Sequence, residues 1–200
     1  MAHLSSPRFE RACAILLVIA LSLLVTISTA GAAVATPGAE GARDCTVAPR
    51  TADELAAVRA TPEAPAPFRA GPQTMGEPLR PEEQIHLEAT VRLFIACGNA
   101  GEPLRIYALY SDRYLQRLLN GERSPIETAW PVAQASPTPA GATLVAITSG
   151  RRMADGRLGA LVTIAIPDAA QPGTFFFTFL PDDDRLLIDD IQRGPETART

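Results

Sequence analysis

Lysine is missing from this 200-residue chain, histidine occurs only at His3 and His86, and tyrosine is confined to Tyr107, Tyr110 and Tyr114. Each shortage narrows the range of functions. Arginine supplies all 18 basic side chains against 22 acidic ones, so the net charge is -4 and no basic footprint for a general nucleic-acid binder is present. Two histidines leave little for a His-ligated metal site or a Ser-His-Asp triad. The run Asp182-Asp183-Asp184 lacks the alternating spacing and the distant bidentate Glu of a calcium loop. No metal and no cofactor is therefore expected, and no internal repeat is evident.

What is present begins with export. Arg8 and Arg11 precede an uncharged apolar run, Ala12 to Ile27, followed by the small residues STAGAAVATPG. That is the order of a secretory signal, with A-x-A cleavage sites at Ala30-Gly31-Ala32 or Ala33-Val34-Ala35. Residues 1–35 are read as that signal and the protein as extracytoplasmic, secreted or at the cell surface. The alternative is an uncleaved membrane anchor over residues 12–30, because no charge falls between Arg11 and Glu40. Cleavage removes Cys13 and leaves Cys45 and Cys97, an even pair in an oxidising compartment. A disulfide between them would stabilise the fold by about 4 kcal/mol in the chain-entropy model. Two separate buried thiols are the competing reading.

Residues 36–80 read as a linker that contains one short helix over 51–60, with Thr51 and Glu54 at capping-box spacing, followed by a Pro-rich segment. A long helix starts at Pro81-Glu82-Glu83, where proline and two carboxylates suit a helix N-terminus. Leu87, Val91, Phe94 and Ile95 form its apolar face, and Gly98 to Gly101 is expected to break it. Glu102-Pro103 restarts a helix to about Tyr110, and Ser111 caps a third that ends at Asn120-Gly121. A second Pro-rich connection carries the single tryptophan, Trp130.

The period then changes to that of strands. Residues 143–152, 158–166, 174–180 and 185–192 are rich in Val, Ile, Thr and Phe, and short turn sequences separate them. Connections this short favour an antiparallel meander. Helices followed by strands give the α+β class, with N-terminal helices packed on one face of a curved sheet of four or more antiparallel strands. Residues 81–193 form that domain and 194–200 a flexible tail.

Three stretches carry a family resemblance: the long helix running into Ala96-Cys97-Gly98-Asn99-Ala100-Gly101, the segment Tyr107-Ala108-Leu109-Tyr110 followed by Ser111-Asp112, and the closing Arg185-Leu186-Leu187-Ile188-Asp189-Asp190-Ile191. In these the chain resembles the nuclear transport factor 2-like superfamily, which includes SnoaL-like polyketide cyclases and ketosteroid isomerases. Glu102 stands where such proteins usually have Asp. The resemblance spans roughly residues 81–192 and implies a cone whose open end holds a hydrophobic pocket. It also implies pairing into homodimers through the outer face of the sheet. No position matches the catalytic Asp and Tyr of the isomerases or the acid-base pair of the cyclases.

The pocket candidates are Tyr107, Tyr110 and Tyr114, each able to offer a hydroxyl from an apolar wall, together with Phe175, Phe177 and Trp130. Core packing is the alternative for all of them. The weak catalytic candidates are His86, Asp112, Asp189 and Asp190. Neighbouring Asp189 and Asp190 should face opposite sides of their strand, so that one points inward. The function expected from these features is an exported domain that binds an apolar small molecule or acts as an interaction and dimerisation module, without catalysis. The alternative is a SnoaL-like isomerase or cyclase using an inward carboxylate and a tyrosine hydroxyl.

Overall fold

The computed structural model describes residues 44–62, 76–131 and 141–195. The signal segment, much of both Pro-rich connections and residues 196–200 of the tail lie outside the described residues. Among the described residues, five helices and five strands follow in the order expected for an α+β protein: α1 (Ala52–Ala60), β1 (Glu77–Pro78), α2 (Pro81–Ala100), α3 (Pro103–Ala108), α4 (Asp112–Leu119), α5 (Pro125–Ala129), then β2 (Thr143–Arg152), β3 (Leu158–Ala165), β4 (Gly173–Asp182) and β5 (Arg185–Arg193). Among the described residues, no helix is long and apolar enough to cross a membrane.

The helix starts are built as their sequences require. The Thr51 hydroxyl accepts from the Glu54 amide at 3.2 Å while the Glu54 carboxylate accepts the Thr51 amide at 2.7 Å, a reciprocal capping box at the start of α1. At the start of α2, Glu83 accepts the Arg80 amide at 2.8 Å and also pairs with Arg152 of β2, tying the helix to the sheet. Leu87, Val91, Phe94 and Ile95 are fully buried along the inner face of α2.

The break expected over Gly98 to Gly101 falls at the far end of that stretch. Helix α2 continues through Asn99 and Ala100 and ends only at Gly101, whose left-handed backbone (φ 67°) suits glycine. Two contacts hold the last turn helical. A Cβ on residue 98 would lie 2.5 Å from the Trp130 ring, so Gly98 is the gap that admits the indole. The Asn99 side chain brackets Ala142, donating to its carbonyl at 2.9 Å and accepting its amide at 2.7 Å. Helix α5 lies in what reads as an irregular connection, with Pro125 in its first turn.

The sheet is a simple antiparallel meander, β1-β2-β3-β4-β5, with the two-residue β1 paired to Arg151 and Arg152 as a fifth strand beyond the four expected. Register shifts mark bulges in β2 and between β4 and β5, which bend the strands and sharpen their twist. Phe175, Phe177 and Phe179 join Leu158, Ala160, Val162 and Ile164 in the core beneath the helices. Phe176 takes the other face and lies over Gly159, where an added Cβ would sit 2.6 Å from its ring.

The α3–α4 junction hooks onto the outer edge of β5. The Ser111 amide donates to the Ile188 carbonyl at 2.9 Å, and the Ile188 amide donates to the Leu109 carbonyl at 2.7 Å. These bonds pair an edge that would otherwise be left open, and they fix where the tyrosine-bearing helices sit. Cys45 and Cys97 form a disulfide that fastens the segment before α1 to the last turn of α2.

Candidate functional site

All three tyrosines of the chain come together where α3 and α4 meet the sheet. The Tyr107 and Tyr110 rings are 6.3 Å apart, and those of Tyr110 and Tyr114 are 4.9 Å apart and edge to face. Tyr107 is half-buried, whereas Tyr110 and Tyr114 are closed off from solvent. The remaining aromatic candidates reach this group through one ring. Phe94 contacts Tyr110 at 6.3 Å, Trp130 at 6.1 Å and Phe177 at 5.8 Å. Phe175 is buried farther along β4, against the position of Gly173.

Two polar residues join the tyrosines from α5. Ser124 precedes its first residue and is buried, and Glu127 is partly buried on its single turn. The hydroxyls of Tyr110, Tyr114 and Ser124 are all buried without a hydrogen-bond partner. Ser124 is close enough to Tyr114 to act against the rise in its pKa, yet the pair falls short of hydrogen-bond geometry. Burial pushes the Tyr110 and Tyr114 hydroxyls far above the ordinary phenol value, with the charge of Glu127 adding to the shift. Tyr107 is raised by the same two causes in the same order. All three are therefore neutral donors at any physiological pH.

Burial also raises the Glu127 carboxyl above its ordinary value. Between the unfolded and the folded carboxyl values the folded protein binds more protons at Glu127 than the unfolded chain, so stability falls as pH rises through that window. Glu127→Gln is expected to flatten this part of the stability-pH curve and to raise stability at neutral pH. Urea titrations across the weakly acidic range measure it, and an unchanged slope would show that Glu127 is solvated.

Beside the tyrosines lies a buried ionic network. Asp189 accepts from the Ser111 hydroxyl at 2.7 Å, from Arg157 at 2.9 Å and from Arg113. Asp190 pairs with Arg117 at 2.8 Å and accepts from Gln192 at 2.8 Å. The expectation that the two aspartates face opposite sides of β5 is corrected here. In the register, Thr178 pairs with Asp190 and Phe179 with Ile188, leaving Asp189 as the extra residue of a bulge. The strict alternation is lost, and the Asp189 carboxylate meets Arg113 while that of Asp190 meets Arg117, two arginines four residues apart on one face of α4. Asp155 extends the network to Arg157. Burial works against its charge, but the Arg157 hydrogen bonds and charge prevail and lower its pKa.

The network abuts the tyrosine cluster through Arg117, whose guanidinium lies 5.2 Å from the centre of the Tyr114 ring. The catalytic candidates fall elsewhere. His86 is exposed on α2, and Asp112 is an exposed first-turn residue of α4 paired with Arg50 at 2.7 Å. Asp189 and Asp190 are inward but committed to arginines. Glu127, which the sequence does not single out, is the carboxyl that acts on all three tyrosines.

A separate, half-open groove of about 230 Å³ lies between α2 and β2, lined by Gln84, Glu88, Arg92 and residues 144–147. It shares no residue with the tyrosine cluster. Among the described residues, no group of His, Cys, Asp or Glu is arranged to hold a metal ion. The arrangement at the tyrosines offers neutral hydroxyl donors and one carboxyl of raised pKa in an apolar wall, which suits an uncharged acceptor such as a carbonyl oxygen. Comparison with protein-family models, with curated proteins and with solved structures finds no match for this chain.

Proposed function

We propose that this chain is an exported nuclear transport factor 2-like protein that binds an apolar small molecule at the tyrosine cluster, without transforming it. One observation carries the reading: three hydroxyls, on Tyr110, Tyr114 and Ser124, are buried together with no partner. An unsatisfied buried hydroxyl costs about 1–3 kcal/mol, so a ligand that brings an acceptor recovers a standing penalty. The half-buried ring of Tyr107 supplies the apolar contact at the surface, with the ring of Tyr110 behind it, and a carbonyl group supplies the acceptor.

Because the only tyrosines in the chain are those of the site, a protein labelled with carbon-13 at its tyrosine rings reports on the site alone. Titration with acetophenone, an apolar ketone, is expected to move the Tyr110 and Tyr114 ring signals. Tyr110→Phe should weaken that binding while stabilising the free protein by about 1 kcal/mol, because it deletes an orphaned hydroxyl. If neither ring responds up to the solubility limit of the ketone, or if Tyr110→Phe destabilises the free protein, the ligand reading is lost.

Glu127 gives the second reading, a SnoaL-like isomerase or cyclase, its specific basis: a carboxyl of raised pKa beside tyrosine donors is the pairing that abstracts a proton next to a carbonyl. The same titration in heavy water separates the two. Exchange of the acetophenone methyl protons that depends on Glu127 supports catalysis, and unexchanged ketone at saturation supports binding alone. A homodimer through the sheet completes the proposal, because Leu161, Thr163 and Ala165 of β3 are half-exposed on the face away from the helices. Sedimentation equilibrium giving only monomer at tens of micromolar would remove it.

A further inference from the structure

The segment ahead of α1 does more than lead into it. Residues 44–50 lie along α3, fastened at one end by the Cys45–Cys97 disulfide. The Arg105 guanidinium donates to the Val47 carbonyl, and the Arg50 amide donates to the Leu104 carbonyl at 3.0 Å. The Arg50 side chain then makes three bonds at once. Its Nε donates to the Tyr107 carbonyl at 3.1 Å, one terminal nitrogen donates to the Tyr110 carbonyl at 3.0 Å, and the other pairs with Asp112 at 2.7 Å.

These acceptors sit at the end of α3 and the start of α4. The Tyr107 carbonyl, in the last turn of α3, also accepts the Tyr110 amide at 3.3 Å, and Tyr110 follows that helix; a planar guanidinium fork can bridge the two carbonyls while also holding Asp112. Arg59, on α1, repeats the device by donating to the Leu119 carbonyl at the end of α4 at 2.9 Å. One arm, residues 44–61, thereby holds both helices that carry the tyrosines.

We infer that this arm positions the tyrosine site, with Arg50 as the positioning residue, and that the redox state of Cys45–Cys97 sets the affinity of the site for its ligand. The inference rests on the reading of the tyrosine cluster as a ligand site. With the disulfide closed, the arm is held against α2 and Arg50 fixes the backbone of Tyr107 and Tyr110. With it open, residues 44–50 lose their covalent fastening, and the Arg50 fork is held only by its own bonds.

Reduction follows ordinary exchange chemistry with a dithiol. A thiolate of the reductant attacks Sγ of Cys45, the half-buried partner. The sulfur-sulfur bond breaks, and Cys97 leaves with the electron pair and takes up a proton. The second thiol of the reductant then resolves the mixed disulfide, releasing Cys45 as a thiol. Two electrons and two protons pass to the protein, and the reductant ends as its own disulfide.

The test uses the full chain labelled at its tyrosine rings, oxidised and after treatment with dithiothreitol. Reduction is expected to move the Tyr107 and Tyr110 signals while leaving the methyl signals of Val162 and Ile164 in place, and to weaken acetophenone binding about tenfold, the scale of a typical coupling between sites. Arg50→Gln, with the disulfide intact, should reproduce the tyrosine shifts and the loss, and Arg50→Lys should recover part of it. A reduced protein that keeps the oxidised tyrosine spectrum and affinity, or an Arg50→Gln protein indistinguishable from the parent, overturns the inference. Should the reduced protein unfold, Arg50→Gln alone decides. If acetophenone leaves even the oxidised protein unmoved, the ligand reading fails, whereas the ring signals still show whether the arm positions the tyrosines.

Discussion

Asp189→Ala is expected to lower the free energy of unfolding by about 3–5 kcal/mol, as breaking a buried charge cluster by removing one partner does. The carboxylate is 1% exposed and serves three donors: the Ser111 hydroxyl, Arg113 and Arg157. Alanine takes from Arg157, itself 6% exposed, one of the two carboxylates that answer its buried positive charge, Asp155 being the other. It also removes the acceptor of the Ser111 hydroxyl, which in turn accepts the Tyr114 amide at 3.1 Å as the cap of α4. A surface ion pair behaves differently, since its loss typically costs under about 1 kcal/mol. Urea unfolding of Asp189→Ala with an unchanged slope measures the effect. A loss under about 1 kcal/mol would mean that water reaches the cluster and that Asp189 belongs with surface pairs such as Glu88–Arg92.

The network also shows where sequence reading stops. Elements with a strong local signal were legible: the proline and carboxylates that open α2, the capping box at Thr51, and strands whose Val, Ile and Phe alternate between turns. The α+β order followed from these; the Cys45–Cys97 bond was expected on cysteine parity alone, with two separate thiols as the alternative. Asp189 and Asp190 were marked as the carboxylates to watch, but simple alternation assigned them opposite faces. A bulge inserts one residue and changes that assignment, and nothing in Ile188-Asp189-Asp190-Ile191 announces it.

The tyrosines were legible as candidates but not as a cluster, because a helix junction separates Tyr107 from Tyr114 and removes any fixed angular relation. Ser124 and Glu127 were not legible at all. Ser124 is the N-cap residue of, and Glu127 lies on, a five-residue helix inside a Pro-rich connection, too short to show a period, and their meaning depends on contact with residues of α3 and α4. The one available hint was Ser124-Pro125, a polar residue directly before a proline, which is the usual opening of a helix. The cone implied by the family resemblance is a finer claim than an open five-stranded antiparallel meander with helices on it, and it remains part of the proposed function.

Phe94→Ala is the second large effect, about 3–5 kcal/mol of lost stability, the usual range for emptying a buried phenylalanine site. Phe94 is fully buried and joins the tyrosines to the rest of the aromatic core through Tyr110, Trp130 and Phe177. Its neighbours are poorly placed to refill the space. Tyr110 is held by the bridge to Ile188 and by Arg50, and Trp130 is seated in the gap left by Gly98. A cavity that cannot collapse retains the full packing loss, so the cost should fall in the upper part of the range. Thermal unfolding with the disulfide intact measures the loss, and the carbon-13 tyrosine spectrum shows where it is felt. Because the Phe94 ring packs against Tyr110, and Tyr107 lies on through Tyr110, the Tyr110 signal should move more than that of Tyr107. Equal movement of both would mean that the substitution loosens the whole α3–α4 junction, and Phe94 would then support the helix pair as a unit instead of the inner wall of the site.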